Sequence, residues 1–428
     1  MFEVKRLIPK IPTGLENNHS ELGTTQDCRR KHFLDNIRWV TVLLVLFFHV
    51  IYYYHAKGGY YGTIGGFKDR QWQDLFMYMI YPWFMMLLFL VAGISSKYSL
   101  KRQSEASFLR NRSRKLLLPC TLGLVFVGWV WYYYLVLANG EQSTEEPVFS
   151  FLKGIDSLFS LEVKAMRLIG HLWFIVDLWL FSVLIVFVRR IEKGILHKKI
   201  GIFFAKHDGE KSIKSLGLNL CIIIGGWILV WASSKFSSLY LFYAYRTFHP
   251  INYFTAFLLG YFVFSHDDVQ NRVMEMRIPI LVLSIIANAL FSVKYWKSGT
   301  IVNNPQALGS VLGSFYVWMT MLAMLGCFKA WANKTNRFAT YMSKASYGMY
   351  VIHYLVIAVV GYYTKRYLSL PPWASYAILI TAVMFLSALL YEIIRRIPFV
   401  RWCVFGMNVR KDNRKPTKTK VKDGILAI

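Results

Sequence analysis

Runs of about 20 mostly apolar residues recur along the chain, with short polar segments between them. A helix of about that length crosses the hydrocarbon core of a bilayer, so the pattern predicts an all-α, polytopic transmembrane helix bundle with about ten spans. The predicted spans cover residues 37–55, 75–95, 116–138, 172–188, 215–232, 250–265, 278–293, 307–328, 347–363 and 373–394.

Composition agrees with this pattern and indicates a single folded domain. Hydrophobic residues make up 55% of the 428 residues and charged residues 17%, against roughly 25% charged residues in soluble domains. We predict a cytoplasmic arm at residues 1–31, a transmembrane domain at 32–406 and a basic, disordered cytoplasmic tail at 407–428. The arm lacks the apolar core of a cleavable signal peptide, so the first span is expected to direct the chain to the membrane.

The net charge of +27 raises the question of nucleic-acid binding, but the basic residues cluster between the apolar runs. Most of the 50 lysines and arginines fall in the two end segments and in every second loop. Cytoplasmic loops of membrane proteins are enriched in this way, so we predict both termini in the cytoplasm and no nucleic-acid partner. The five cysteines have no metal-binding spacing, and no metal site is predicted.

Three polar residues lie on one face of the first predicted helix, in HFLDNIRWVTVLLVLFFHV at 32–50, a stretch that includes most of the first span. Arg38 and His49 are eleven residues, or three helical turns, apart and therefore share a face within about 20°. Asp35 lies within roughly 60° of both. A single histidine in a span is more often a core residue bonded to a neighbouring carbonyl, but three polar groups on one face favour a lined cavity.

Two later spans also carry polar residues. RLIGHLWFIVDLW contains His171, Trp173 and Asp177, and SYGMYVIHYLV contains Tyr350 and His353 in mid-span. Ionisable groups inside a bilayer are costly and indicate functional sites. Asp177 also fits a simpler interpretation, in which it pairs with a histidine or tyrosine inside the bundle.

The last span ends in LLYEIIRRIP, in which Glu392 precedes Arg395 and Arg396. A salt-bridge cluster at the membrane surface explains this trio at least as well as catalysis does.

The loop after the second span is more basic than orientation alone requires. Arg110, Arg112 and Arg114 stand just before the third span, where they suit a cytosolic polyanion such as a nucleotide or coenzyme A. The alternative is a plain orientation signal, which is our interpretation of the basic loop after the fourth span.

Several segments, in this order, resemble membrane-bound acyltransferase family 3 over about residues 32–406: FLDNIRWVTVLLVLFFHV, FLVAGISSKYSL, FLRNRSRKLLLP, HLWFIVDLW and SKASYGMYVIH. The closing LLYEIIRRIPFVRWCVFG is similar to the glucan-modifying, succinyl-transferring branch. Two positions depart from the family pattern, since Ile94 follows Gly93 and Tyr354 follows His353. These departures affect the assignment to a branch of the family and not the resemblance to the family itself.

The resemblance implies transfer of an acyl group from acyl-CoA to a hydroxyl of a glycan or lipid-linked acceptor, with Arg38 and His49 as the essential pair. We predict that His49 deprotonates the acceptor or, as an alternative, takes the acyl group covalently. Arg38 would position coenzyme A, and Asp35 would hold Arg38. The remaining candidates, predicted to line the substrate sites, are Arg110, Arg112, Arg114, His171, Trp173, Tyr350, His353 and Glu392.

The predicted partners are acyl-CoA as the donor substrate, the acceptor and membrane lipids, with no tightly bound cofactor. The predicted location is the bacterial cytoplasmic membrane. A proton-coupled transporter or flippase also fits buried ionisable groups in ten spans, although the sequence shows no repeated halves. A lipid- or drug-binding protein without catalytic activity is a third alternative.

Overall fold

The computed structural model describes residues 30–54, 71–138, 170–205, 213–236, 250–296 and 304–408. All regular secondary structure within these ranges is helical, which confirms the predicted all-α class. Eight helices in these ranges are long and apolar enough to cross a membrane. They are His32–Tyr54, Trp72–Arg102, Gly170–Glu192, Ser215–Phe236, Arg277–Tyr295, Val311–Trp331, Arg337–Tyr367 and Pro372–Ile394.

Each of these eight helices coincides with a predicted span. We number all the α-helices of the described residues in chain order, including the shorter ones. They are α1 His32–Tyr54, α2 Leu75–Arg102, α3 Glu105–Leu118, α4 Trp129–Ala138, α5 Trp173–Glu192, α6 Ile195–Ala205, α7 Ile213–Leu220, α8 Gly226–Phe236, α9 Pro250–Phe262, α10 Asp267–Glu275, α11 Arg277–Tyr295, α12 Pro305–Leu308, α13 Val311–Trp331, α14 Arg337–Tyr367, α15 Pro372–Ile394 and α16 Pro398–Phe405.

The predicted spans at 116–138 and 250–265 are helical but are not among the eight. A π-helix at Pro119–Gly128 joins α3 to α4, and it begins at a proline, which cannot donate the usual backbone hydrogen bond. The helix α9 has 13 residues, about 20 Å of rise, which is shorter than the hydrocarbon core. Residues 1–29 and 409–428, which hold most of the predicted arm and tail, lie outside the described residues.

The helix α1 lies inside the bundle and packs against α2, α13, α14 and α15. The amide nitrogen of Asn36 donates to the carbonyls of Ala332 (2.7 Å) and Lys334 (2.8 Å), just before α14 begins. The starts of α1 and α14 are therefore joined, and the two helices run side by side from the same end. At 1.5 Å per residue, His49 and His353 both lie about 25 Å along their helices.

The helices α2 and α9 approach each other through two glycines. A Cβ added at Gly93 would collide with the carbonyl of Phe257, and one at Gly260 would collide with the carbonyl of Leu90. Small residues allow backbones to pack this closely in membrane helices. The contact sets the position of α2, which forms one wall of the cavity described next.

Candidate active site

Three histidines that are far apart in the sequence meet inside the bundle. His49 comes from α1, His353 from α14, and His171 from the short 3₁₀ turn before α5. The ring centre of His353 lies 5.0 Å from that of His49 and 4.8 Å from that of His171. Tyr354 stacks on His171 at 4.4 Å and meets His49 edge-on at 5.0 Å. The four rings form one cluster, which we call the histidine cluster.

Hydrogen bonds determine which nitrogen of each ring carries the proton. The Nδ1 of His353 lies 2.6 Å from the carbonyl oxygen of Tyr350. A carbonyl only accepts, so this nitrogen carries the proton, and in a neutral ring Nε2 is then the acceptor. The Nδ1–H of His49, at 3.1 Å, donates to that Nε2. The Nε2 of His49 is thereby left with a lone pair, as a base or nucleophile requires.

His171 is held mainly by α14. Its Nε2 donates to the carbonyl of Val351 at 3.2 Å, and its own carbonyl accepts from the hydroxyl of Tyr350. Its Nδ1 is buried and has no hydrogen-bond partner among the described residues. Within that part of the chain, no group of three or more histidine, cysteine, aspartate or glutamate side chains is arranged to hold a metal ion.

A cavity lies between α1, α2, α5 and α14, and its empty space, counted together with its solvent-open mouth, is about 630 Å³. Asp35 and Arg38 line one end, and Tyr350, whose carbonyl binds His353, lines another part. The other lining residues are mostly apolar and comprise Val42, Leu88, Ala92, Phe174, Ile175, Leu178, Ser343, Ser346 and Tyr347. The cavity therefore joins a charged end to a wall that also supports the histidine cluster.

At the charged end, Asp35 is shared between two arginines. Its carboxylate accepts from Arg38 Nη1 at 2.8 Å and from Arg30 Nε at 2.7 Å. Arg38 also donates to the hydroxyl of Ser95 on α2. The side chains of Asp35 and Arg38 are each 15% exposed, so the pair is largely shielded from solvent.

A second buried guanidinium lies nearby. Arg112 on α3 is 5% exposed, donates to Ser96 at 3.3 Å and stacks over Phe108. No carboxylate pairs with it among the described residues. Burial lowers the pKa of Arg112 to about 10, and the charge of Arg38 adds to the shift. Arg112 remains cationic at neutral pH. It does not line the cavity itself, but it adds positive charge close to Arg38.

The other two arginines of the basic loop do not join Arg112. Arg110 is exposed, and Arg114 donates to Asn408, beyond α16. Lys115 is nearer to Arg112, since burial together with the charges of Arg112 and Arg114 lowers the pKa of Lys115 to about 8. The predicted donor arginines therefore separate into one buried residue, one exposed residue and one that contacts Asn408, just after α16.

Comparison with known families identifies the class of this domain. A family model described as an acyltransferase domain matches residues 31–392, most of the chain. The chain belongs to acyltransferase family 3. It is a multi-pass membrane acyltransferase, and this membership favours an enzyme over the transporter alternative.

The acyltransferase is similar to curated proteins named glucans biosynthesis protein C. Those of Escherichia coli strain SMS-3-5 and of Shigella boydii serotype 4 are each 20% identical to it over 397 residues. The alignments cover 91% of this chain and 98% of each relative. No solved structure matches the chain.

Besides Arg110 and Arg114, two more predicted site residues of the acyltransferase lie elsewhere. Trp173 packs against Phe89 and Tyr253, at ring-centre distances of 6.4 and 5.3 Å. Glu392 accepts from Arg395 at 2.7 Å near the end of α15, as in the salt-bridge interpretation. Neither residue lines the cavity or contacts the histidine cluster, and the three histidines themselves lie behind the cavity lining.

Sequence reasoning did not select the apolar residues that line the cavity, nor several polar residues of the acyltransferase site. Ser95 and Ser96 bind the two buried arginines, Tyr347 lines the cavity, and Tyr354 stacks in the histidine cluster. The paired serines in FLVAGISSKYSL, at the end of an apolar run, were an available signal. Tyr354 had none, because its contact with His171 joins segments far apart in the chain.

Proposed function

We propose that this acyltransferase moves an acetyl or succinyl group from acyl-CoA to a hydroxyl of a cell-envelope glycan or lipid-linked acceptor in the bacterial cytoplasmic membrane. The observation that carries the proposal is the hydrogen bond between His49 and His353, which leaves a lone pair on His49 Nε2 within the histidine cluster. Tyr350, whose carbonyl binds His353, connects this cluster to the cavity wall. Acyl-CoA is a substrate here, and the proposal needs no tightly held cofactor.

The charged end of the cavity is the donor entrance in this proposal. Coenzyme A carries several phosphate charges, and Arg38 and Arg112 supply two shielded cations for them. The apolar walls beyond suit the uncharged pantetheine arm, which would bring the thioester towards the histidine cluster. The excess of lysine and arginine in alternate loops supports a cytoplasmic position for this end.

The chemistry assigns one proton transfer to His49. Its Nε2 accepts the proton of the acceptor hydroxyl while the hydroxyl oxygen forms a bond to the thioester carbonyl carbon. The carbon–sulfur bond then breaks, and the thiolate of coenzyme A takes the proton from the His49 imidazolium. The products are the acyl ester and coenzyme A with a free thiol, so His49 returns to its starting state.

Arg38 and Asp35 act as a pair in this scheme. Arg38 binds the donor, and Asp35 holds the guanidinium at 2.8 Å so that it points into the cavity. Asp35 also partly offsets the cost of burying a cation.

The acceptor enters from the opposite membrane face. Support for a glucan comes from the name of the curated relatives and from the similarity of the closing segment to the glucan-modifying branch. At 20% identity the acceptor is a proposal for this chain.

The test compares His49→Ala with His32→Ala, a histidine at the start of the same helix and outside the histidine cluster. Both proteins are purified and incubated with acceptor glycan and radiolabelled acetyl-CoA or succinyl-CoA. We expect His49→Ala to lose transfer and His32→Ala to retain it. Wild-type turnover in folded His49→Ala would refute the base role, and transfer from neither donor by the wild type would refute the donor class.

A further inference from the structure

The chain turns sharply where the membrane span α5 ends. Lys193 and Gly194 both have positive φ, 52° and 81°. Left-handed residues at a helix C-terminus end the helix and redirect the chain. The next residue, Ile195, begins the 11-residue helix α6. Because α5 belongs to the Gly170–Glu192 span, α6 starts where the chain leaves the bilayer core.

The helix α6 is firmly attached to the bundle on one side. The carboxylate of Glu192 accepts from the backbone N–H of Gly194 and of His197, both at 2.9 Å, and so caps the first turn of α6. The ring of His197 stacks on that of His266 at 4.1 Å. Phe204 is only 5% exposed. These contacts define an inner face and leave the opposite face uncovered.

The outer face of α6 is strongly apolar. Ile195, Leu196, Ile202 and Phe203 are 57%, 46%, 57% and 51% exposed. At about 100° per residue, Ile195, Ile202 and Phe203 fall on the half of the helix opposite Phe204, and Leu196 lies at the edge of that half, about 80° from Phe204. Such a contiguous patch on a fixed helix indicates an interaction surface, because exposing it to water costs about 25 cal/mol per Å².

Cations accompany this apolar face. Lys193, Lys198 and Lys199 are exposed, and Lys199 projects between the apolar side chains on the helical wheel. The nearby carboxylate of Glu192 is engaged in the cap. Lysine stems can lie along apolar surface while their ammonium groups reach a polar layer. A face that is apolar with basic groups matches the acyl and phosphate layers of an anionic membrane.

We infer that α6 is an interfacial helix that binds anionic phospholipid, with its apolar side chains among the upper acyl chains and its lysines on the phosphates. This surface is separate from the proposed acyl-transfer chemistry and does not depend on it. It lies at the same end of the bundle as α3, since Arg190 at the end of α5 pairs with Glu105 at 2.9 Å. A protein partner is disfavoured, because the patch continues directly from a membrane span.

Photo-crosslinking of the full-length protein in nanodiscs tests this surface. Benzoylphenylalanine replaces Phe203 in one variant and its buried neighbour Phe204 in a matched control. In nanodiscs containing phosphatidylglycerol, mass spectrometry should detect a phospholipid adduct at position 203 and none at 204. No lipid adduct at 203, or an adduct only with the scaffold protein, would overturn the inference.

A second pair of variants tests the role of charge in the position-203 background. Lys198→Gln with Lys199→Gln should lower the yield of phosphatidylglycerol adducts at least threefold, relative to phosphatidylcholine. Lys198→Arg with Lys199→Arg keeps the charges and should keep the yield. An unchanged yield in the glutamine variant, or an equal loss in the arginine variant, would contradict recognition of anionic head groups.

Discussion

The hydrogen bond from His49 to His353 gives the sharpest prediction. In His353→Phe, a ring of similar size fills the space, but the acceptor for His49 Nδ1–H, now at 3.1 Å, is lost. Leaving a shielded donor unsatisfied costs about 1–3 kcal/mol. If the same free energy is added to the reactive state, in which His49 has the required tautomer and orientation, turnover decreases about 5- to 150-fold.

The assay measures initial rates with radiolabelled acyl-CoA over a range of donor concentrations. His353 does not line the cavity, so the KM for acyl-CoA should stay within about twofold while kcat falls. His353→Gln is the matched control, because the glutamine amide oxygen can take the place of Nε2 and accept from His49. We expect this variant to recover most of the lost turnover.

Two results would refute this reasoning. A folded His353→Phe variant with kcat within threefold of the wild type would show that the hydrogen bond does not orient a reacting group. A His353→Gln variant as slow as His353→Phe would show that the acceptor at this position is not what matters.

Three further predictions follow from the structure. Arg112→Gln should raise the KM for acyl-CoA at least tenfold with kcat little changed. Arg110→Gln, at an exposed position, should change KM less than twofold. Equal effects on KM would show that the buried position of Arg112 is not important for donor binding. With a pKa of about 8, Lys115 is charged at pH 7 and mostly neutral at pH 9. The affinity for coenzyme A, measured by calorimetry, should therefore decrease from pH 7 to pH 9. The decrease should be smaller in Lys115→Arg, because arginine keeps its charge over this range. Gly93→Ala should destabilise the protein by about 1–3 kcal/mol, because the added Cβ would collide with the backbone of α9. Gly217→Ala, whose Cβ meets nothing within 4 Å, is the control. Equal melting temperatures for the two variants would contradict close packing of α2 and α9.

The apolar pattern predicted the helices well because crossing a bilayer imposes length and hydropathy on each span independently. Eight predicted spans coincide with long apolar helices in the described residues. The pattern was less informative at 116–138, where a π-helix at Pro119–Gly128 changes the helical repeat. It was also less informative at 250–265, where α9 has only 13 residues. In both places local backbone chemistry and tertiary packing act alongside hydropathy.

The sequence predicted which polar residues of one helix share a face, but not which residues of other helices they contact. Helical spacing placed Asp35, Arg38 and His49 on one face, and the structure has Asp35 and Arg38 lining one cavity and His49 in the histidine cluster. Helical spacing within one segment says nothing about which distant segment supplies the partner. The acceptor for His49 comes from a residue 304 positions later in the chain.

The sequence by itself determined the all-α membrane class, eight of the ten predicted spans and a short set of polar residues inside them. Such residues stand out in any span because burying charge in lipid is costly. Only the tertiary structure decided which of them meet. The bonds from Asn36 to Ala332 and Lys334 align α1 with α14, and this alignment brings His49 and His353 to one depth. The same packing placed Arg112 inside and Arg110 outside, a difference of side-chain direction that charge alone does not reveal.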